Sequence, residues 1–183
     1  MSQQEIAESI LVIGIGNEFR NDDGAGIFVS KLIRARNLPG VKTLDQSGEG
    51  AELMESWAGF KTLFLVDAVS SLSNSGTIHR IDTRIQSVPL KFFNCSSHAF
   101  GIAESIELSK ILGTLPERCS LFGIEGKDFG WGRMLSAEVE RAAEQVVETI
   151  ISEIGPTCLC TQSIGSEDQR RMNRQYSTGE ASI

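Results

Sequence analysis

The sequence predicts an α/β protein, a three-layer α/β/α sandwich around a mostly parallel sheet of about five strands. Residues 10–15 (ILVIGI) are continuously apolar and rich in β-branched residues, and residues 62–69 (TLFLVDAV) contain the apolar run Leu63-Phe64-Leu65-Val66. Such runs are typical of strands that are covered on both faces. Segments with helical spacing lie between the strand-like segments, and this alternation favours a parallel sheet with helices on both sides.

Local signals place the individual elements in order. Leu38-Pro39-Gly40 ends the first helix. Leu108 and Ile111 lie at helical spacing in the third helix, and Ser136 is placed to cap the last one. The predicted strands are residues 10–15, 41–44, 62–69, 77–81 and 120–124, and the predicted helices are residues 24–36, 48–58, 100–112 and 137–154.

Length and charge predict one acidic globular domain followed by a tail. With 183 residues, 40% of them hydrophobic, the chain suits a single domain over residues 1–154. Residues 155–183 are polar and lack an apolar pattern, so we predict a disordered tail. The net charge of −7 disfavours binding to nucleic acid or to an anionic membrane. We expect the protein to be a monomer.

The sequence predicts a cytoplasmic protein with free thiols. No apolar run approaches the ~18–20 residues of a membrane span. The first nine residues, MSQQEIAES, contain no basic residue and do not resemble a secretory signal. The four cysteines Cys95, Cys119, Cys158 and Cys160 form no CxxC pair, so a structural zinc site is not indicated.

Candidate chemistry collects where the strands end, because ligands of open α/β sheets bind at the carboxyl edge. Asp23 follows the first strand, and Asp67 follows four apolar residues of the third. His98 lies at a loop-to-helix junction, whereas His79 in an alternating strand is expected to face solvent. Two acids and an imidazole suit zinc or nickel and leave a coordination position open. Alternatively, Asp67 caps a backbone turn, and His98 is a capping or surface residue.

Other enzyme classes fit less well. The sequence lacks HExxH and GxSxG, the patterns of zinc proteases and serine hydrolases. Cys95 lies three residues before His98, so a thiol hydrolase stays open as an alternative. The Gly14-x-Gly16 turn has Phe19 where a dinucleotide fingerprint requires its third glycine, and Asp22-Asp23 would repel a pyrophosphate. No organic cofactor is expected.

Three motifs resemble those of the nickel–iron hydrogenase maturation endopeptidases. The first is Gly14-Ile15-Gly16-Asn17 with Asp22-Asp23-Gly24-Ala25-Gly26. The others are Val66-Asp67-Ala68 and Ser97-His98-Ala99-Phe100-Gly101. Their order and spacing are similar to the family pattern from about residue 10 to residue 154.

The resemblance implies a metal site formed by Asp23, Asp67 and His98. We expect the neighbouring Asp22 to lie outside it, facing solvent or capping the following helix. It also places a family acid at Asp45, although Gln46-Ser47 departs from the Gly-Gly or Gly-Thr that many members have next. Glu125 matches a common family stretch that we interpret as lining the cleft.

The activity implied by the resemblance is one endoproteolytic cut. The family removes a C-terminal peptide from the precursor of the hydrogenase large subunit after nickel insertion, and the recognised nickel is that of the substrate. The simplest scheme is a metal-polarised carbonyl attacked by water with the help of a carboxylate. The alternative from another functional class is a non-catalytic nickel-binding maturation chaperone on the same fold.

Overall fold

The computed structural model describes residues 9–89 and 101–155. Within them, five strands form one sheet in the order β2-β1-β3-β5-β4. β4 is antiparallel to β5, and the other pairs are parallel. The strands are β1 (Ile10–Ile15), β2 (Val41–Gln46), β3 (Thr62–Val69), β4 (Ile78–Asp82) and β5 (Arg118–Glu125). The helices are α1 (Ala25–Ala35), α2 (Gly50–Ser56), α3 (Ile102–Leu112) and α4 (Ala137–Ile154).

Helices cover both faces of the sheet, which confirms the predicted three-layer architecture. Val12, Phe64 and Phe122 pack with α1 and α4 on one face. Their neighbours along the strands point the other way, so Leu11 and Leu65 pack with α2 and α3. Both clusters are almost fully buried, and they form one core on each side of the sheet.

The predicted bounds differ from the observed ones at the ends of several elements, and α2 is two residues shorter at each end than predicted. β2 continues through Gln46 and β5 through Glu125, because each pairs with its neighbour there: Ile15 with Gln46 and Val69 with Glu125. Main-chain pairing continues where the apolar pattern has stopped, so the prediction ended these strands early. Ile111, predicted to be part of an apolar stripe, is 82% exposed.

The fold brings the ends of β1, β3 and β5 to one edge, where Asp23 and Asp67 lie. No helix within residues 9–89 and 101–155 is long and apolar enough to cross a membrane. His98, Cys95 and the predicted tail from residue 156 onward lie outside the described residues.

Candidate active site

Glycine residues allow the segment after β1 to pack closely against the sheet. A side chain at Gly14 would overlap the carbonyl group of Gly26, and a side chain at Gly26 would overlap the carbonyl group of Val66. Gly16 has a φ of +133°, and a side chain there would overlap the carbonyl oxygen of Asp23. The glycines of the first motif therefore let the 3-10 turn Asn21–Gly24 lie directly on the ends of β1 and β3.

This packing brings Asp23 and Asp67 under each other's electrostatic influence. Asp67 is only 7% exposed, and its Oδ1 accepts a hydrogen bond from the Ala68 N–H at 2.9 Å. Burial raises the pKa of Asp67 to about 8, and the charge of Asp23 adds to the shift, whereas the Ala68 N–H opposes it. Burial also raises the pKa of Asp23, against the opposing effects of Arg20 and of the Asn17 N–H. Among the residues that the structure describes, the groups that would stabilise either carboxylate do not offset its burial.

A second buried acid, Glu125, lies at the same edge. Asp67 of β3 and His79 of β4 both pair with Gly123 of β5, one from each side. Glu125 lies two residues beyond Gly123, so Asp67, His79 and Glu125 are on the same face of the sheet. Glu125 accepts hydrogen bonds from the Ser71 N–H at 2.7 Å, the Ser71 hydroxyl at 2.8 Å and the Ser73 N–H at 3.2 Å. Rather than lining an open cleft, Glu125 is 2% exposed and fixes the loop between β3 and β4.

The expectation that His79 faces solvent is wrong. Its side chain is 20% exposed, and Nε2 lies 3.4 Å from Oε2 of Glu125. The face of β4 that carries His79 lies against the loop that Glu125 holds, since Nε2 is also 3.4 Å from the Ser71 hydroxyl. A buried acid on the neighbouring strand was the missing information.

Asp22 is fully buried, so the expectation that it faces solvent or caps the following helix is wrong. Its carboxylate accepts four hydrogen bonds from the loop between β5 and α4. The donors are the Lys127 N–H (2.8 Å), the Asp128 N–H (2.8 Å), the Ser136 N–H (2.6 Å) and the Ser136 hydroxyl (2.9 Å). Ser136 does occupy the N-cap position of α4, but its side chain makes no capping bond there and serves Asp22 instead.

Comparison with known proteins decides the family. A family model described as hydrogenase maturation protease matches residues 27–153. The chain is 30% identical over 156 residues to a putative hydrogenase maturation protease of Methanocaldococcus jannaschii, covering 80% of this chain and 97% of that protein. It is 30% identical over 149 residues to the hydrogenase 2 maturation protease of Escherichia coli, covering 77% and 90%.

The chain belongs to the hydrogenase maturation protease family.

A solved structure gives the same result for the fold. The hydrogenase maturating endopeptidase HybD from Escherichia coli superposes with a TM-score of 0.69 at 25% identity, covering 81% of this chain and 93% of that one. The match of the family model begins at residue 27 and so excludes Asp23. The two sequence relatives cover more of the chain than the family model does.

The acid at the end of β2 faces α1 in this maturation protease. Asp45 accepts a hydrogen bond from Arg34 at 2.9 Å and another from the Ser30 hydroxyl. Gln46, where the sequence departs from the family pattern, donates from Nε2 to the Ser56 hydroxyl of α2 at 2.6 Å. Its Oε1 is buried without a hydrogen-bond partner in the part of the chain that the structure describes. The end of β2 is therefore held by side chains of both helical layers.

The structure brings two of the three predicted site residues together, and the third lies outside its scope. At the carboxyl edge Asp23 is close enough to raise the pKa of Asp67, whereas His98 falls in residues 90–100, which are not described. Among residues 9–89 and 101–155, no group of three or more His, Cys, Asp or Glu side chains is arranged to hold a metal ion. The two carboxyl groups offer oxygen atoms to a cation that arrives with a further ligand.

Proposed function

We propose that this protein is an endopeptidase that removes a C-terminal peptide from the nickel-loaded precursor of a nickel–iron hydrogenase large subunit. Asp23, Asp67 and His98 are proposed to recognise the nickel ion of the precursor. The observation that carries the proposal is the buried Asp67 beside Asp23 at the carboxyl edge of the sheet. Family membership supplies the class of reaction and the kind of substrate.

The electrostatics of the two acids suit a site that senses a cation. Burial and mutual repulsion both disfavour the doubly charged state of Asp23 and Asp67. A divalent ion presented by the substrate reverses this, since it stabilises both carboxylates at once. The site thereby distinguishes a nickel-loaded precursor from an empty one without holding a metal of its own.

The reaction then needs water, a polarised carbonyl and a proton acceptor. In our scheme the nickel ion polarises the scissile carbonyl, and a carboxylate accepts a proton from the attacking water. The C–N bond breaks, the released amine takes up a proton, and the new carboxylate ends the mature subunit. Asp67 can serve as the proton acceptor only in the loaded complex, because burial raises its pKa and the cation is needed to stabilise it as a carboxylate.

The decisive experiment compares peptide release from nickel-loaded and nickel-free precursor. Wild-type protein should cleave only the loaded precursor, and Asp67→Asn should abolish cleavage while the protein stays folded. Asp82→Asn is the matched control, because Asp82 ends β4 at the opposite edge of the sheet, pairing with Ser120 near the start of β5. Equal cleavage of both precursors would refute nickel recognition. Binding of loaded precursor without peptide release would favour the chaperone alternative.

A further inference from the structure

Three large apolar side chains are exposed on the loops that follow β1 and β5. Trp131 is 87% exposed, Met134 82% and Phe19 46%. We refer to these three residues as the apolar patch. Isolated exposed apolar residues are common, but aromatic and methionine side chains grouped beside a candidate site are typical of protein interfaces.

The backbone that carries the apolar patch is held by hydrogen bonds between the two loops. The Gly132 N–H donates to the Phe19 carbonyl at 2.9 Å, and the Asn21 N–H donates to the Gly132 carbonyl at 3.1 Å. The Met134 N–H donates to Oδ1 of Asn21 at 3.3 Å. Arg133 lies with its guanidinium 4.1 Å from the centre of the Phe19 ring. The main chain beneath these side chains is thus ordered before any partner binds, which lowers the entropic cost of association.

The same hydrogen bonds join the apolar patch to the candidate active site. Asn21 is the first residue of the 3-10 turn that contains Asp23, and the Asp22 N–H donates to the Asp128 carbonyl at 2.9 Å. Phe19 precedes Asp23 by four residues. A macromolecule seated on the patch therefore lies against the turn that presents Asp23.

We propose that the apolar patch is the docking surface for the folded part of the precursor whose peptide is removed. This inference rests on the proposed function. Two carboxyl groups at a sheet edge offer little surface with which to select one protein, so affinity must come from side chains around them. Trp131 and Met134 provide such surface, and a buried tryptophan is among the strongest contributors to protein–protein affinity. A second copy of this chain on the patch would cover Asp23, which makes self-association the less suitable occupant.

The test is a kinetic comparison of the double variant Trp131→Ala/Met134→Ala with wild type. We expect KM for loaded precursor to rise about tenfold or more while kcat stays within about twofold, since the patch contributes binding and not chemistry. Ile111→Ala is the matched control: Ile111 is 82% exposed, as Met134 is, but lies near the end of α3. It should leave both constants unchanged, and thermal melts should show all variants folded.

Each outcome bears separately on the docking surface and on the proposed function. If wild type cleaves and the double variant has the wild-type KM, the docking surface is wrong and the proposed function stands. If wild type binds precursor but does not cleave it, loss of binding in the double variant supports the docking surface although the function has failed. If the double variant binds the precursor as well as wild type does, or if wild type does not bind it, the proposed docking surface is overturned. A wild-type dimer that the double variant converts to a monomer, with processing unchanged, also overturns it.

Discussion

Replacing Asp22 by asparagine tests whether this acid is a structural link between two loops. The Oδ2 atom accepts three hydrogen bonds, from the N–H groups of Lys127 and Asp128 and from the Ser136 hydroxyl, and Oδ1 accepts the Ser136 N–H at 2.6 Å. Asparagine has nearly the same shape but one acceptor oxygen. Whichever way the amide is turned, its NH₂ group faces at least one N–H donor in a fully buried position.

The expected loss of stability follows from the hydrogen bonds that become impaired. Hydrogen bonds to a charged group contribute roughly 1.5–3 kcal/mol each, and an unsatisfied buried polar group costs about 1–3 kcal/mol. Because the amide still accepts some of the four bonds, we expect the free energy of unfolding at pH 7 to fall by about 2–4 kcal/mol. At ~2–4 °C per kcal/mol for a domain of this size, Tm should fall by roughly 5–15 °C.

The pH dependence of this effect has a defined sign. Burial acts to raise the pKa of Asp22, but the N–H groups of Ser136, Asp128 and Lys127 outweigh it and hold the pKa below its usual range. A depressed pKa in the folded state stabilises the protein above the ordinary aspartate pKa, and this stabilisation is lost as the pH falls below it. The difference in Tm between wild type and Asp22→Asn should therefore shrink between pH 5 and pH 3.

Asp23→Asn is the matched control, because it makes the same chemical change at the adjacent position. The pKa of Asp23 is raised by burial, so losing its charge should leave Tm unchanged or raise it slightly, while precursor cleavage is lost. Differential scanning calorimetry of both variants, beside a cleavage assay, separates the two roles. A Tm for Asp22→Asn within 2 °C of wild type would refute the structural role of Asp22.

The remaining predictions concern packing, metal content, the thiol and charge. Gly26→Ala should lower Tm and impair cleavage, because a side chain there meets the carbonyl of Val66; melts unchanged from wild type would contradict the close approach. Purified protein should hold little metal after dialysis, and one equivalent of zinc that survives chelation, found by elemental analysis, would argue against nickel supplied by the substrate. Cys95→Ser should keep most of its cleavage activity. Loss of cleavage in Cys95→Ser, together with retained cleavage in Asp67→Asn, would establish the thiol alternative. Asp67→Asn should be more thermostable than wild type at pH 8, with a smaller difference at pH 5.

Apolar runs made most of the fold predictable. The strands at residues 10–15 and 62–69 and the helix at residues 137–154 have the predicted bounds. The two strands are covered on both faces and are therefore mostly apolar, whereas the helix is apolar on one face only and begins directly after Ser136. The antiparallel direction of β4 and the continuation of β5 to Glu125 were not predictable in this way. Both depend on pairing between strands that lie far apart along the chain.

The two adjacent acids show where sequence reasoning about the site reaches its limit. Asp22 and Asp23 have the same chemistry and neighbouring positions, yet one is fully buried with four donors and the other is partly buried with a raised pKa. The donors to Asp22 lie 105–114 residues further along the chain. No residue near Asp22 in the sequence indicates these hydrogen-bond donors. Matching to family motifs indicated Asp23, but only the folded loop explains what Asp22 contributes.

The raised pKa of Asp67 connects the stability of the protein to the chemistry proposed for it. In the folded protein this acid keeps its proton up to about pH 8, whereas in the unfolded chain it loses it near the ordinary value of 3.8. The stabilisation is therefore complete below about pH 4 and declines as the pH rises towards 8. At ~1.4 kcal/mol per pKa unit the full shift exceeds 5 kcal/mol, although water entry and relaxation should reduce the measurable part to roughly 1–3 kcal/mol.

Asp67→Asn cannot ionise, so this decline with pH should be absent from the variant. A wild-type Tm that stays level from pH 5 to pH 8 would show that Asp67 is already ionised in the folded protein. A carboxyl group that resists ionisation until a cation arrives can be neutral beside an empty precursor and anionic beside a loaded one. The same burial that weakens the domain at high pH would then make cleavage depend on nickel.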